Sequence, residues 1–471
     1  MTRRTLTIPM AVLAAWMLSG AISRAALRAQ TPGPVSATPE AHSEDSQAPL
    51  LTLDEAVRMA LADNPALAAA EAGARGAHAG LDEARGSRWP RLEVSTDAGR
   101  TTNPVMVFGG LLDQERFSEK NFDVGFLNEP DPLTDYRARV AVSQPLWAGG
   151  RIAAGIHGAG QQAQAADLSR ERTRQELVYR VTDRYTGAVV AGQAVAVRQA
   201  DLETATKSVG LTRDLYDTGL VVESDLLQAR VREAEARAAL AEAEKNAAVA
   251  RSALNLELGR EVETPLRLPT ELAVPDEAAP ANPPDLPALV AEAKSRRPDL
   301  AAARAQVAAA RAGLDGARGG WLPEVGWSGA YEAHAESPFD HPGTNWSVGL
   351  GLRWTGFDGF ATRARVQKAE AQLEQAQHMA ELAERGVALE VESAERELEA
   401  ARLRWKQARE AVTLAEKSVA IVRDRYKEGL TTVVELLGAE ALVSGSRTRE
   451  LAARRDLALA HSELDLAVGR L

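Results

Sequence analysis

The chain has 471 residues, 45% hydrophobic but only 4% aromatic, so it can bury a core, though not one built on large rings. A formal charge of −11, with acids and bases interspersed and no basic tract, argues against a nucleic-acid partner. There is no cysteine, which excludes disulfides, thiolate metal clusters, thiol catalysis and a lipidated N-terminal cysteine.

Residues 1–29 read as a secretory signal peptide. Arg3 and Arg4 precede an apolar stretch over 11–18, and Ala25, Ala26 and Ala29 offer small-residue cleavage sites. The stretch falls short of the about 20 apolar residues that a spanning helix needs, and no later run is longer. Residues 30–50, rich in proline and serine, read as a flexible leader.

Beyond the leader the chain is one unit written twice, over 51–260 and 288–471. Pro65, Leu81-Asp82, Ala84-Arg85-Gly86 and Pro90 recur as Pro298, Leu314-Asp315, Ala317-Arg318-Gly319 and Pro323, an offset of 233 (298 − 65). Further on, Lys207-Ser208-Val209, Tyr216, Gly219-Leu220 and Leu226-Leu227 recur as Lys417-Ser418-Val419, Tyr426, Gly429-Leu430 and Leu436-Leu437, an offset of 210 (417 − 207). The difference, 23 residues (233 − 210), gives the first copy a longer loop, placed at 103–134. Residues 261–287 carry seven prolines and read as a semi-rigid, non-helical linker between the copies.

Each copy reads as helix, strand, strand, long helix, turn, helix. The first helices, about 65–88 and 298–320, are Ala-rich, opened by proline and closed before Pro90 or Pro323. Strands are expected at about 91–102 and 135–144, then 324–334 and 345–354. Alternation is visible in Val140 and Val142, and in Val348, Leu350 and Leu352. Runs of about ten residues suit tilted strands that cross a bilayer. Six of the eight tryptophans, Trp89, Trp147, Trp321, Trp327, Trp346 and Trp354, lie in or near the strand ends, where membrane-interface aromatics concentrate.

Glycines then open two proline-free stretches, 151–217 and 361–427, each long enough for one helix of about 100 Å. Val181, Ala188, Val195, Leu202, Val209 and Tyr216 fall at strict sevens, as do Val391, Leu398, Trp405, Val412, Val419 and Tyr426. A companion set in the second copy, Val387, Ala394, Ala401, Ala408, Ala415 and Val422, sits four residues ahead. These are coiled-coil seams of the distal halves. Glu370, Gln377 and Glu384 occupy the proximal seam positions of the second copy, implying another packing mode there. Gly219 and Gly429 stop the long helices in a left-handed turn, and return helices follow over 221–258 and 431–468.

The duplicated pattern, the run Ser143-Gln144-Pro145-Leu146-Trp147-Ala148-Gly149-Gly150-Arg151 and the paired turns Tyr216-x-x-Gly219-Leu220-Val221 and Tyr426-x-x-Gly429-Leu430-Thr431 resemble the TolC-type outer membrane efflux family. The resemblance covers essentially the whole chain after the leader. It implies a mostly α fold with a membrane β-barrel part: three protomers forming a twelve-stranded barrel on a long α-helical coiled-coil tunnel. The implied function is an outer-membrane exit duct for efflux or type I secretion, moving small molecules or proteins, with its tunnel in the periplasm. The implied partners are a homotrimer, outer-membrane lipid, a periplasmic adaptor (membrane fusion) protein and an inner-membrane pump. Independently of the resemblance, four strands cannot close a barrel, and open edges cannot face lipid, so an oligomer follows.

The tips Gly219, Leu220, Gly429 and Leu430 are expected to dock the adaptor. Just inside them, Tyr216, Asp225, Tyr426 and Glu435 are expected to hold the tunnel mouth shut. Thr431 and Gly438 stand where the family has a gating arginine and aspartate. Neither Gly155–Gly160 nor Gly349–Gly351 has nucleotide-loop spacing, Ser328 lacks a nucleophile elbow, and the seven histidines, His334 and His341 included, are scattered. No enzyme, cofactor or metal is expected. Heptads alone would also suit a soluble or adaptor-type periplasmic coiled-coil protein, but that reading leaves the tryptophan-flanked strands unexplained.

Overall fold

The computed structural model describes residues 50–273 and 285–471. The stretches read as signal peptide and leader, apart from Leu50, and the centre of the linker lie outside them.

Each copy opens with a short helix that the sequence pattern did not reveal. Helix α1 (Leu53–Asp63) starts at a capping box, in which Thr52 and Glu55 each accept the other's backbone N–H. Helix α7 (Leu286–Arg296) is its counterpart at the offset of 233. It overturns the assignment of the linker's end as non-helical, because Pro287 occupies the first turn, where no N–H is needed. The described start of the linker, 261–273, is not an unpacked spacer either. Leu266 and Leu272 are buried against α1 and the first long helix, and the Leu51 N–H donates to the Arg267 carbonyl at 2.9 Å.

Asn64 and Arg297 follow these helices with ψ of 122° and 121°, the extended conformation imposed on a residue before proline. Helices α2 (Pro65–Gly86) and α8 (Pro298–Arg318) then begin. Asn64 Nδ2 donates to the Glu257 carbonyl at 2.8 Å, and Arg297 Nη1 to the Ala467 carbonyl at 3.3 Å. Residues 257 and 467 are themselves repeat equivalents, so different side chains make the same tie in the two copies.

The four strands form one antiparallel sheet in chain order: β1 (Arg91–Thr101), β2 (Leu133–Trp147), β3 (Glu324–Ala335) and β4 (Gly343–Arg353). Within the chain, β1 and β4 are its edges. Strand β2 outruns its expected span because pairing with β3 continues through an irregularity between Pro145 and Trp147, which absorbs the missing proline N–H. The long loop of the first copy is also not coil. It holds α3 (Pro104–Asp113), a 3₁₀ turn (Glu119–Phe122) and α4 (Val124–Asn128).

Helices α5 (Arg151–Asp217) and α9 (Ala361–Lys427) have 67 residues each, about 100 Å at 1.5 Å per residue. Left-handed residues launch both: Gly149 and Gly150 (φ +61° and +80°), and Gly359 and Phe360 (φ +67° and +68°). Their proximal halves pack against α2 and α8, which accounts for the seam's loss there. Glu370 and Glu384 instead pair with Arg318 (3.2 Å) and Lys294 (2.9 Å). Helices α6 (Glu223–Glu257) and α10 (Val433–Val468) return along the distal halves, and α10 also packs on α5. The seam of α9 stays buried at Val391, Leu398, Trp405 and Tyr426, whereas that of α5 is buried at Val181 and Ala188 and exposed by Tyr216. Among the described residues no helix is long and apolar enough to cross a membrane.

Candidate functional site

The sheet has two unlike faces. Cross-strand register lines up Leu92, Val142, Gly329 and Val348, and likewise Val94, Val140, Tyr331 and Trp346. Leu350 and Leu352 continue this apolar face, and Leu92, Val94, Val348, Leu350 and Leu352 are all exposed. The alternate positions are polar and paired across strands, Asp97 with Arg137 at 2.9 Å and Arg139 with Glu332 at 3.1 Å. From Trp346 to Trp354 is eight steps of about 3.3 Å, so the apolar band runs about 26 Å along the strand, or about 20 Å across a bilayer at a barrel strand's tilt of about 40°. A bilayer-spanning barrel wall carries a band of about 25 Å with aromatics at both rims and a polar interior.

Five of the six tryptophans lie at or near the two ends of the sheet. Trp346 is exposed near the outer end, while Trp89, Trp147, Trp321 and Trp354 are exposed at the end nearer the helices. Trp354 Nε1 donates to the Trp321 carbonyl at 3.2 Å. Trp327 sits further into the sheet, half-buried, donating to Gln144 Oε1 at 3.2 Å. His334 is buried beside Asp135 (2.9 Å), and no group of acids and histidines among the described residues is arranged to hold a metal ion.

At the other end, both helical hairpins turn through the same motif. The Gly219 N–H donates to the Tyr216 carbonyl and the Leu220 N–H to that of Leu215, both at 2.9 Å. Gly429 and Leu430 do the same with Tyr426 and Arg425, at 3.0 and 2.8 Å. These are Schellman caps, and the glycine φ values of +79° and +70° are the left-handed ones the motif requires. Leu220 and Leu430 are 69% and 67% exposed, so neither is buried by its own cap. The second cap could not bury its leucine on the usual partner, because that position is Arg425.

The four residues expected at the mouth do not form one cluster. Tyr426 is buried to 1% exposure among Val433, Leu436, Leu211 and Leu215, and its hydroxyl lies 3.1 Å from that of Thr212 on α5. Burial raises its pKa, the Thr212 hydrogen bond opposes this, and the charge of Asp225 adds to the rise. The phenol therefore keeps its proton at neutral pH. Tyr216 is half-exposed, and Glu435 is exposed and accepts from the Thr431 hydroxyl of its own turn.

What joins the hairpins is a polar ladder that sequence reasoning missed. Besides Tyr426 and Thr212, buried Ser208 donates to Glu440 at 2.7 Å, and Arg423 approaches the same carboxylate at 3.3 Å. Farther from the tip, Arg198 donates to Ser444 (2.7 Å) and Thr448 (3.1 Å), Ser444 to Asp201, and Arg455 to Asp183. A signal existed. The companion seam positions of α5 include Arg198 and Thr212, where α9 has Ala408 and Val422. An apolar seam broken only in one copy marks the face that meets the other hairpin.

The outer membrane efflux protein family matches residues 56–260 and 289–470, the two copies of the unit. Protein CyaE of Bordetella pertussis is 29% identical over 408 residues, covering 85% of this chain and 80% of that protein. The alkaline protease secretion protein AprF of Pseudomonas aeruginosa is 26% identical over 402 residues, covering 82% and 78%. Among solved structures, the outer-membrane channel OprN superposes with a TM-score of 0.75 at 23% identity, covering 93% of this chain and 98% of that one.

Proposed function

The chain belongs to the outer membrane efflux protein family and is an exit duct of the outer membrane, and on that footing we propose how it assembles and works. Three copies each add four strands to one twelve-stranded barrel, and their helical hairpins form a tunnel on the periplasmic side. The observation that carries this reading is the sheet: one apolar face about 26 Å long along the strand, one polar face, and unpaired edges at β1 and β4. An apolar face on this scale must meet lipid or protein, and lipid tolerates no open edge. The family's description names efflux and the name of AprF names protease secretion, and either cargo suits a duct supplied by an adaptor and a pump. Measuring the mass of the detergent-solubilised particle tests the assembly. Three copies per particle are expected, and a monomer would sink the proposal.

The exposed Leu220 and Leu430 are the docking points for the periplasmic adaptor. Gly429→Asp puts a charge beside Leu430, where a Cβ meets nothing within 4 Å, so the fold bears only the backbone strain of about 1–2 kcal/mol. Export and adaptor cross-linking are expected to be lost while the particle survives. Undiminished cross-linking of this variant would place the adaptor elsewhere.

A further inference from the structure

The 23-residue excess of the first copy is a folded body on the outer end of the sheet. Helix α3 starts three residues after edge strand β1 and ends against edge strand β4, where Asn345 Nδ2 donates to Asp113 Oδ1 at 3.4 Å. The approach is so close that a Cβ on Gly343 would lie 2.0 Å from the Asp113 carbonyl oxygen. One face of α3 is anchored: Val107 and Leu111 are buried on Leu133, and Gln114 donates to the Thr134 carbonyl and to Asp135, each at 2.9 Å. Arg116 pairs with Glu336 at 2.7 Å on the β3–β4 connection.

The other face of the same helix is apolar and uncovered. Val105 and Met106 are 80% and 63% exposed and Leu112 is exposed with them, and Phe122 of the 3₁₀ turn and Val124 of α4 are exposed as well. A folded segment does not leave such a row in water without a partner. Charge narrows the choice of partner. Residues 103–132 carry six acids against two bases, which disfavours an anionic lipid surface, yet 103–112 carry no charge at all. Position narrows it further, since α3 crosses from one sheet edge to the other, and both edges are where the barrel adds its neighbouring copies.

We propose that residues 103–132 form a helical lid whose apolar face is covered by the lids of the other copies, closing the outer mouth of the duct. This rests on the oligomeric barrel proposed above. The test uses the full chain in the outer membrane with Met106→Cys, an addition free of background because the chain has no cysteine. Treating intact cells with a bis-maleimide should give copy-to-copy adducts on a denaturing gel. Adding Gly343→Val, which forces the lid off β4, should abolish them. Replacing 103–132 by a short Gly-Ser link should raise single-channel conductance. An intact oligomer that labels with a membrane-impermeant maleimide but yields no adducts overturns the lid contact alone. Quenching of a Met106→Cys fluorophore by spin-labelled lipid also overturns it, in favour of a lipid-facing lid. A monomeric particle overturns the assembly and the lid together.

Discussion

Replacing Gly149 with valine is expected to abolish the oligomeric particle proposed above. Gly149 has φ +61°, which costs any residue with a Cβ about 1–2 kcal/mol and a β-branched one more. A Cβ there would also lie 2.4 Å from the Gly319 carbonyl oxygen and 2.8 Å from Leu322 Cβ. Backbone must move to relieve such contacts, at a further cost of about 1–3 kcal/mol. The total of about 2–5 kcal/mol reaches the exceptional range for one substitution only at its upper end. The substitution also falls where the strand-to-helix junction of the first copy crosses the helix-to-strand junction of the second. Two controls separate the terms. Gly150→Ala has φ +80° but open space around its Cβ, so it should cost only about 1 kcal/mol and keep the particle. Gly319→Ala has an ordinary φ but would press on the Gly149 carbonyl at 2.4 Å, and should fall between. A Gly149→Val protein that melts with the parent would show that the two junctions need not touch.

That contact was hidden in the sequence, although the elements around it were legible. Both long helices could be bounded because proline is absent between the glycines that launch them and the glycines that end them. Eleven-residue α1 and α7 were missed because they are too short for periodicity to separate from background, and only the Thr52–Glu55 capping box marks the first. Proline density made the linker look unpacked, but Leu266 and Leu272 outweigh it by burying against the first copy's core. Pro145 looked like the end of β2 because sequence cannot show that an irregularity would absorb it. The mouth was legible only in part. Tyr216 and Tyr426 hold equivalent positions in equivalent seams, yet one is half-exposed and the other buried. Their environments differ because α10 crosses onto α5, a contact between the copies that internal symmetry cannot foretell.

Removing one hydroxyl from Tyr426 is expected to shift the duct toward its open state. Tyr426→Phe keeps the ring that packs on Val433 and Leu436 but strands the Thr212 hydroxyl, which is fully buried. Losing such a bond costs about 1 kcal/mol in the state that contains it. If three copies open together the costs add, and about 3 kcal/mol is roughly a hundredfold in the ratio of open to closed channels. In planar bilayers the variant should therefore spend far more time at high conductance than the parent. Thr212→Val with Tyr426→Phe removes both hydroxyls, so closure regains the stranded-group penalty but not the specific pairing, and should sit between parent and single variant. Tyr216→Phe, at the repeat-equivalent but half-exposed position, should leave conductance unchanged. Asp225→Ala probes the electrostatic part, since the Asp225 charge helps keep the Tyr426 phenol protonated without bonding it. If Tyr426→Phe and Asp225→Ala together leave conductance unaltered, the tie between the hairpins is structural, and the mouth closes elsewhere on the polar ladder, with Glu440 and its partners Ser208 and Arg423 the next to test.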